Sequence, residues 1–183
     1  MHGRLLTVVC ALSCIAGAGP SAQAPAAAPG EYDVKAAYLY NFGKFVQWPP
    51  GERRTAESFD ICVVGRDPFG AALDRAVTGA TIGRRPVQAR RVATASATHG
   101  CHVLFVGAPD ERQAADLLAA VGQADVLTVG DTPRFLDQGG MIRFVADGSR
   151  VRFEVNLASA RAAGLTLSSD LLRVATRVRQ AGR

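Results

Sequence analysis

Two short runs, Phe59-Asp60-Ile61-Cys62-Val63-Val64-Gly65 and His102-Val103-Leu104-Phe105-Val106-Gly107, are almost uninterruptedly apolar and end in glycine. A strand with one wet face alternates in polarity; a strand covered on both faces does not, so both runs read as buried strands. Around them the pattern changes to that of helices. Asp67-Pro68 places an N-cap before a proline and opens a helix through about Val77. Asp110 to Val121 puts Ala114, Leu117, Leu118 and Val121 on one helical face. Pro86 to Val92 and Asp125 to Val129 supply two more strands. This succession predicts one layered α/β domain with a mixed, mostly parallel sheet flanked by helices.

The last third departs from that rhythm. Met141 to Val145 and Val151 to Val155 alternate in polarity, and Asp147-Gly148-Ser149 between them has hairpin-turn chemistry. A C-terminal antiparallel hairpin is expected, with Arg143, Arg152 and Glu154 pointing outward. Ser168-Ser169-Asp170 then caps a closing helix whose buried stripe is Leu171, Leu172, Val174, Ala175 and Val178. At the other end, Tyr32 to Pro49 holds Tyr32, Tyr38, Tyr40, Phe42, Phe45 and Trp48, half of all the aromatic residues. Tyr38, Phe42, Phe45 and Val46 recur at helical spacing, so a helix with an aromatic buried face is expected there, stopped by Trp48-Pro49-Pro50.

Everything before that helix reads as targeting. Arg4 supplies a positive start, Leu5 to Gly17 an apolar run, and Ser21-Ala22-Gln23-Ala24 a small-residue cleavage site. The run has roughly 13 residues where a bilayer-spanning helix needs roughly 20. Residues 1–24 are therefore expected to be a signal peptide cleaved near Ala24, 25–30 a disordered leader, and 31–183 one domain in the periplasm. The formal charge of +5 is spread over scattered pairs, Arg53-Arg54, Arg84-Arg85 and Arg90-Arg91, and a basic tail. A nucleic-acid binder would show a dense basic stripe with interleaved aromatics, so nucleic acid is not an expected partner.

Parts for catalysis are lacking. There is no Gly-x-Ser-x-Gly, no His-Glu-x-x-His and no Cys-x-x-Cys, and the acids show no paired spacing. Gly65-Arg66-Asp67-Pro68-Phe69-Gly70 stands where a phosphate loop would, without its glycine pattern or lysine, and reads as a tight turn. His99-Gly100-Cys101-His102 tempts a metal reading, but neighbouring residues on a strand point to opposite faces. No enzyme, no metal and no cofactor is expected. Cys62 and Cys101 would form a disulfide in an oxidising compartment if their strands lie side by side. Otherwise they are two buried thiols that never meet. Gly164-Leu165-Thr166-Leu167 offers leucines that belong either to the core or to a small sticky loop.

Taken in order, Lys35-Ala36-Ala37-Tyr38-Leu39-Tyr40-Asn41-Phe42, Ile61-Cys62-Val63-Val64-Gly65, Cys101-His102-Val103-Leu104-Phe105, Gly139-Gly140-Met141-Ile142-Arg143-Phe144 and Arg150 to Asn156 resemble the YfiR family of periplasmic proteins. The resemblance spans roughly Tyr32 to Val178. It implies repression of an inner-membrane diguanylate cyclase, YfiN-like, through that enzyme's periplasmic domain. It further implies release by an OmpA-like outer-membrane lipoprotein, YfiB-like, control of cyclic di-GMP and biofilm formation, and a homodimer. It also implies the Cys62 to Cys101 bond, since these positions match one of the family's disulfide pairs. Departures are His102 in place of a Gln-like residue, Arg143 in place of Asn, and no cysteines for a second disulfide. The partner surface expected from these readings is Arg143, Arg152, Glu154, Leu165 and Leu167. The competing expectation is a small-ligand sensor module serving another membrane signalling or transport protein.

Overall fold

The structure, a computed structural model, describes residues 29–51, 56–122 and 124–180. The expected signal peptide and residues 25–28 of the leader lie outside the described residues. The chain opens with α1 (Glu31–Phe45) and a two-residue strand β1 (Val46–Gln47), then β2 (Phe59–Gly65), α2 (Ala71–Val77), β3 (Thr81–Ile82) and β4 (Arg85–Val92). A 3-10 turn (Ala95–Thr98) leads to β5 (Cys101–Gly107), α3 (Glu111–Val121) and β6 (Leu127–Gly130). The hairpin is β7 (Ile142–Asp147) with β8 (Arg150–Asn156), followed by α4 (Leu157–Ala162), β9 (Thr166–Leu167), α5 (Ser169–Val174) and β10 (Arg177–Arg179).

Eight strands form one sheet in the order β10-β8-β7-β6-β5-β2-β4-β3. Pairing from β4 through β2, β5 and β6 to β7 is parallel; β7 with β8 and β3 with β4 are antiparallel, so the sheet is mixed. Burial follows the sequence logic. Every residue of β5 is buried, and so is all of β2 except its terminal glycine, because helices cover both faces of this central pair. One apolar cluster joins Ile61, Val63, Val103, Phe105, Leu127 and Val129 to α1, α2, α4 and α5. The other joins Cys62, Val64, Leu104 and Val106 to α3 and to Phe135 and Leu136 of the loop before β7.

α1 forms where expected, with its buried stripe rotated. Ala36, Leu39, Phe42 and Gly43 face the sheet, Tyr38 is half-buried, Phe45 is 39% exposed and Val46 has left the helix for β1. Gly43 sets the closeness of this contact: a Cβ there would lie 2.7 Å from Phe59 Cζ and 2.6 Å from Ile82 Cδ1. Phe42 is enclosed by Tyr38, Phe144 and Phe153, with ring centroids 5.8, 5.8 and 5.0 Å away. Lys35 lies in the same stripe, and its charge is met by Glu31 at 2.7 Å and Asp131 at 2.8 Å.

Two helix boundaries differ from expectation. Asp67 accepts a hydrogen bond from the Phe69 amide, an Asx turn, and α2 begins only after Gly70. Arg91 bonds Asp67, Asp74 and the Gly70 carbonyl, which fixes that turn to β4. The closing helix is one short segment, capped by Ser168 on the Leu171 amide; only Leu171 is buried, and Val174 is 61% exposed. Past Ala175 the chain becomes β10, parallel to β8, since the sheet edge offers backbone partners that a further helical turn would lack.

Candidate partner-binding surface

The region expected to meet a partner is the β7–β8 hairpin, closed by the turn at Gly148. Alternation splits its residues between two sides. Ile142, Phe144, Phe153 and Val155 enter the core beneath α1. Arg143 stands directly opposite Glu154, and Val145 opposite Arg152, on the other side of the sheet. Arg143 Nη2 bonds Glu154 Oε2 at 2.9 Å, and its second terminal nitrogen bonds the Pro133 carbonyl. Their side chains are only 19% and 13% exposed, because the loop before β7 folds back over this end. That loop is further tied down by Asn156 Nδ2 on the Leu136 carbonyl and by Arg179 on Asp137. Arg152 is more open, with Asp147 Oδ2 at 3.7 Å from its Nε.

Leu165 and Leu167 do not belong to any exposed loop. They are 1% and 7% exposed and pack in the main core, because β9 pairs with β1 through Val46 and Leu167 and draws this segment against the start of the fold. The sticky-loop reading of these two leucines is therefore corrected in favour of the core.

A disulfide joins Cys62 to Cys101 with the Cα atoms 5.8 Å apart. Its strands are neighbours, with a register shift between Asp60 and Ile61. The shift sets Asp60 beside Cys101 but Ile61 beside Val103, so His102 is the extra residue of a β-bulge. Its fully buried ring stacks on Phe59 at 4.3 Å, and Nδ1 accepts the Asp60 amide hydrogen at 3.1 Å. Nε2 lies 3.1 Å from Arg85. His102 thus restores a backbone hydrogen bond within the bulge, while Cys101 sulfur is engaged in the disulfide. Both roles are structural and neither presents a ligand to a metal.

In sheets of this strand order, ligands lodge at the carboxyl ends of the strands, between the first strand and its neighbour across the reversal of order. Here those strands are β2 and β5, and their ends close on each other: the Arg66 amide donates to the Gly107 carbonyl at 2.8 Å. A Cβ on Gly65 would stand 2.3 Å from Gly107 O. A larger open groove of about 730 Å³ lies between α1 and the hairpin, bordered by Tyr32, Lys35, Tyr38, Asp131 and Phe144. Burial pulls the Lys35 ammonium toward lower pKa, but hydrogen bonds to Asp131 and Glu31 outweigh it and hold the group above its ordinary value. Lys35 is thereby kept charged and unsuited to act as a base.

No helix among the described residues is long and apolar enough to cross a membrane. In fold, the chain is similar to a solved structure from Streptococcus pneumonia described as an ABC domain in complex with L-Trp, at 12% identity and a TM-score of 0.53. The match covers 79% of this chain and 60% of that one, so this chain spans less than two thirds of its length. A conserved domain protein from Vibrio cholerae O1 biovar El Tor matches at 13% identity and a TM-score of 0.49, over 70% of this chain and 57% of that one. A family model described as YfiR/HmsC-like matches residues 32–176, nearly the whole of the described domain. The chain belongs to the YfiR/HmsC-like family.

Proposed function

We propose that this protein represses a membrane-bound diguanylate cyclase by binding its periplasmic sensor domain, and so lowers cyclic di-GMP and biofilm formation. The observation that carries this reading is family membership over residues 32–176. The chain would be exported by residues 1–24, cleaved near Ala24, and would act with a YfiN-like cyclase. A YfiB-like, OmpA-like lipoprotein would draw it away, and a homodimer would be its working form. Binding the inactive conformation of the sensor domain more tightly than the active one shifts that domain's population without any chemistry. Arg143, Arg152 and Glu154 are the hairpin residues assigned to the partner surface; the disulfide holds the fold.

The test is a pull-down of the exported protein from membranes, read by mass spectrometry, together with cyclic di-GMP measured in a deletion strain. Recovery of a cyclase with a periplasmic domain and a rise in the nucleotide on deletion are expected. An unchanged nucleotide level with no cyclase recovered sinks the reading. The groove beside Lys35 favours a second one, a small-ligand sensor module serving another membrane signalling or transport protein. A melting-temperature screen with metabolites separates the two, since only the sensor reading expects stabilisation by a small molecule.

A further inference from the structure

The end of the chain brings two more arginines to the hairpin. Parallel register sets Arg177 beside Glu154 and Arg179 beside Asn156. Antiparallel register sets Arg150 beside Asp147 and Arg152 beside Val145. Partners across a ladder share a side of the sheet, so register groups Arg143, Arg150, Arg152, Arg177 and Arg179 on the side opposite Phe144 and Phe153. At the hairpin's open end Arg150 and Arg152 also border the groove beside α1. None of the residues in the apolar cluster on the arginine side of the sheet comes from β7, β8 or β10. Contacts from the loop before β7 reach Arg143, Asn156 and Arg179, at one end only.

The acids near this face are already engaged. Glu154 holds Arg143, Asp137 holds Arg179, and Asp147 lies closest to Arg152. Arg150 and Arg177 are exposed and form no ion pair among the described residues. The Nε atoms of Arg143 and Arg152 are buried and make no hydrogen bond, although Asp147 Oδ2 stands 3.7 Å from that of Arg152. Buried donors in a finished structure are almost always satisfied, and a guanidinium is satisfied best by a carboxylate. Positive charge in excess is therefore found on a part of the sheet, β7, β8 and β10, that adds no residue to this apolar cluster.

We infer that this arginine face of β7, β8 and β10 is a docking surface for an acidic protein surface, whose carboxylates meet Arg150, Arg152 and Arg177. The inference rests on the repressor reading and gives the chemistry of the matching patch on the cyclase's periplasmic domain. A protein is favoured over a lipid surface because charges of both signs stand on this face, Arg143 with Glu154 and Arg152 near Asp147, a pattern that a protein surface can match and a uniformly anionic plane of headgroups cannot. Attraction of this kind speeds encounter, weakens with salt and sets orientation.

The test titrates the exported protein with the purified periplasmic domain of the host's membrane diguanylate cyclase at low and high salt. Arg150→Glu with Arg152→Glu and Arg177→Glu should weaken binding by at least about tenfold and flatten its salt dependence. Lysines at the same three positions should retain most of it. Should the triple charge reversal fail to fold, Arg150→Ala with Arg177→Ala, both at exposed positions, carries the same expectation with a smaller loss. Binding as tight as wild type in a folded variant overturns the surface and leaves the repressor reading standing. No binding by the wild-type protein overturns both. Loss of binding to phosphatidylglycerol vesicles, with the cyclase titration unchanged, assigns the face to a membrane and overturns the inference.

Discussion

The two sides of the β7–β8 hairpin are made of the same two strands and do opposite things. Beneath α1, Phe144 and Phe153 enclose Phe42 together with Tyr38. On the other side the same strands carry Arg143, Arg150, Arg152 and Glu154, with little apolar contact. The difference teaches that the hairpin stands on its aromatic side alone, which leaves the charged side free of any duty to the core. Substitutions on the aromatic side should lower stability and leave binding per folded molecule intact. Those on the open arginines should do the reverse.

The largest expected effect is therefore Phe42→Ala. Emptying a fully enclosed aromatic site costs about 3 to 5 kcal/mol, read as a lower midpoint in urea at unchanged slope. A loss below about 1 kcal/mol would mean that the aromatic side collapses freely, and the contrast between the two sides would fall.

Next in size is the covalent tie between β2 and β5. Cys62 and Cys101 are separated by 39 residues, and replacing both by alanine should cost about 4 kcal/mol in the chain-entropy model. Cys62→Ser alone should lower stability and weaken repression in parallel, as expected of a tie that serves folding. Normal repression at the full stability loss would separate the two roles.

Arg143 tests the arginine side from within. Although it shares a face with Arg150, it is mostly covered, and losing it strands the Glu154 carboxylate beneath the loop. Arg143→Met should cost about 2 kcal/mol, and Arg143→Met with Glu154→Leu should recover most of that. Arg150→Ala should change stability by less than about 0.5 kcal/mol. Equal costs at both positions would show that coverage by the loop has no energetic content.

What was legible in the sequence follows the strength of local pattern. β2 and β5 could be read because strands covered on both sides carry long apolar runs, and the hairpin because alternation and a glycine turn agree. The aromatic face of α1 was displaced by one helical position, since Tyr38, Phe42 and Phe45 keep helical spacing as well as the true stripe does. Only contact with Phe59 and Ile82 at Gly43 decides between them. β10 was hidden because Leu171 to Val178 has the spacing of a helix; its strand state comes from the long-range partner β8. That miss also hid Arg177 and Arg179 from the candidate surface. Arg143 and Glu154 were rightly turned away from the core by alternation, but the loop that covers them is irregular and has no periodic signal. Lys35 went unnoticed for a simpler reason: a lysine in a buried stripe is acceptable only once Glu31 and Asp131 meet it, and Asp131 is 96 residues away.

Lys35 supplies the smallest effect and the one with a defined pH window. Its ammonium is held above the ordinary lysine value, since the hydrogen bonds to Asp131 and Glu31 outweigh desolvation. A group whose folded pKa is raised contributes stability that is fully present below the unfolded value, about 10.4, and lost as pH rises through the folded value. Between neutral pH and pH 9 the contribution should thus be constant. Above about pH 10 the wild-type protein should lose stability more steeply than Lys35→Met. At pH 7 the substitution should cost about 1 kcal/mol or less, because Glu31 is 58% exposed and can be rehydrated. Parallel alkaline limbs in the two proteins would show that the fold holds the Lys35 charge no better than the unfolded chain does.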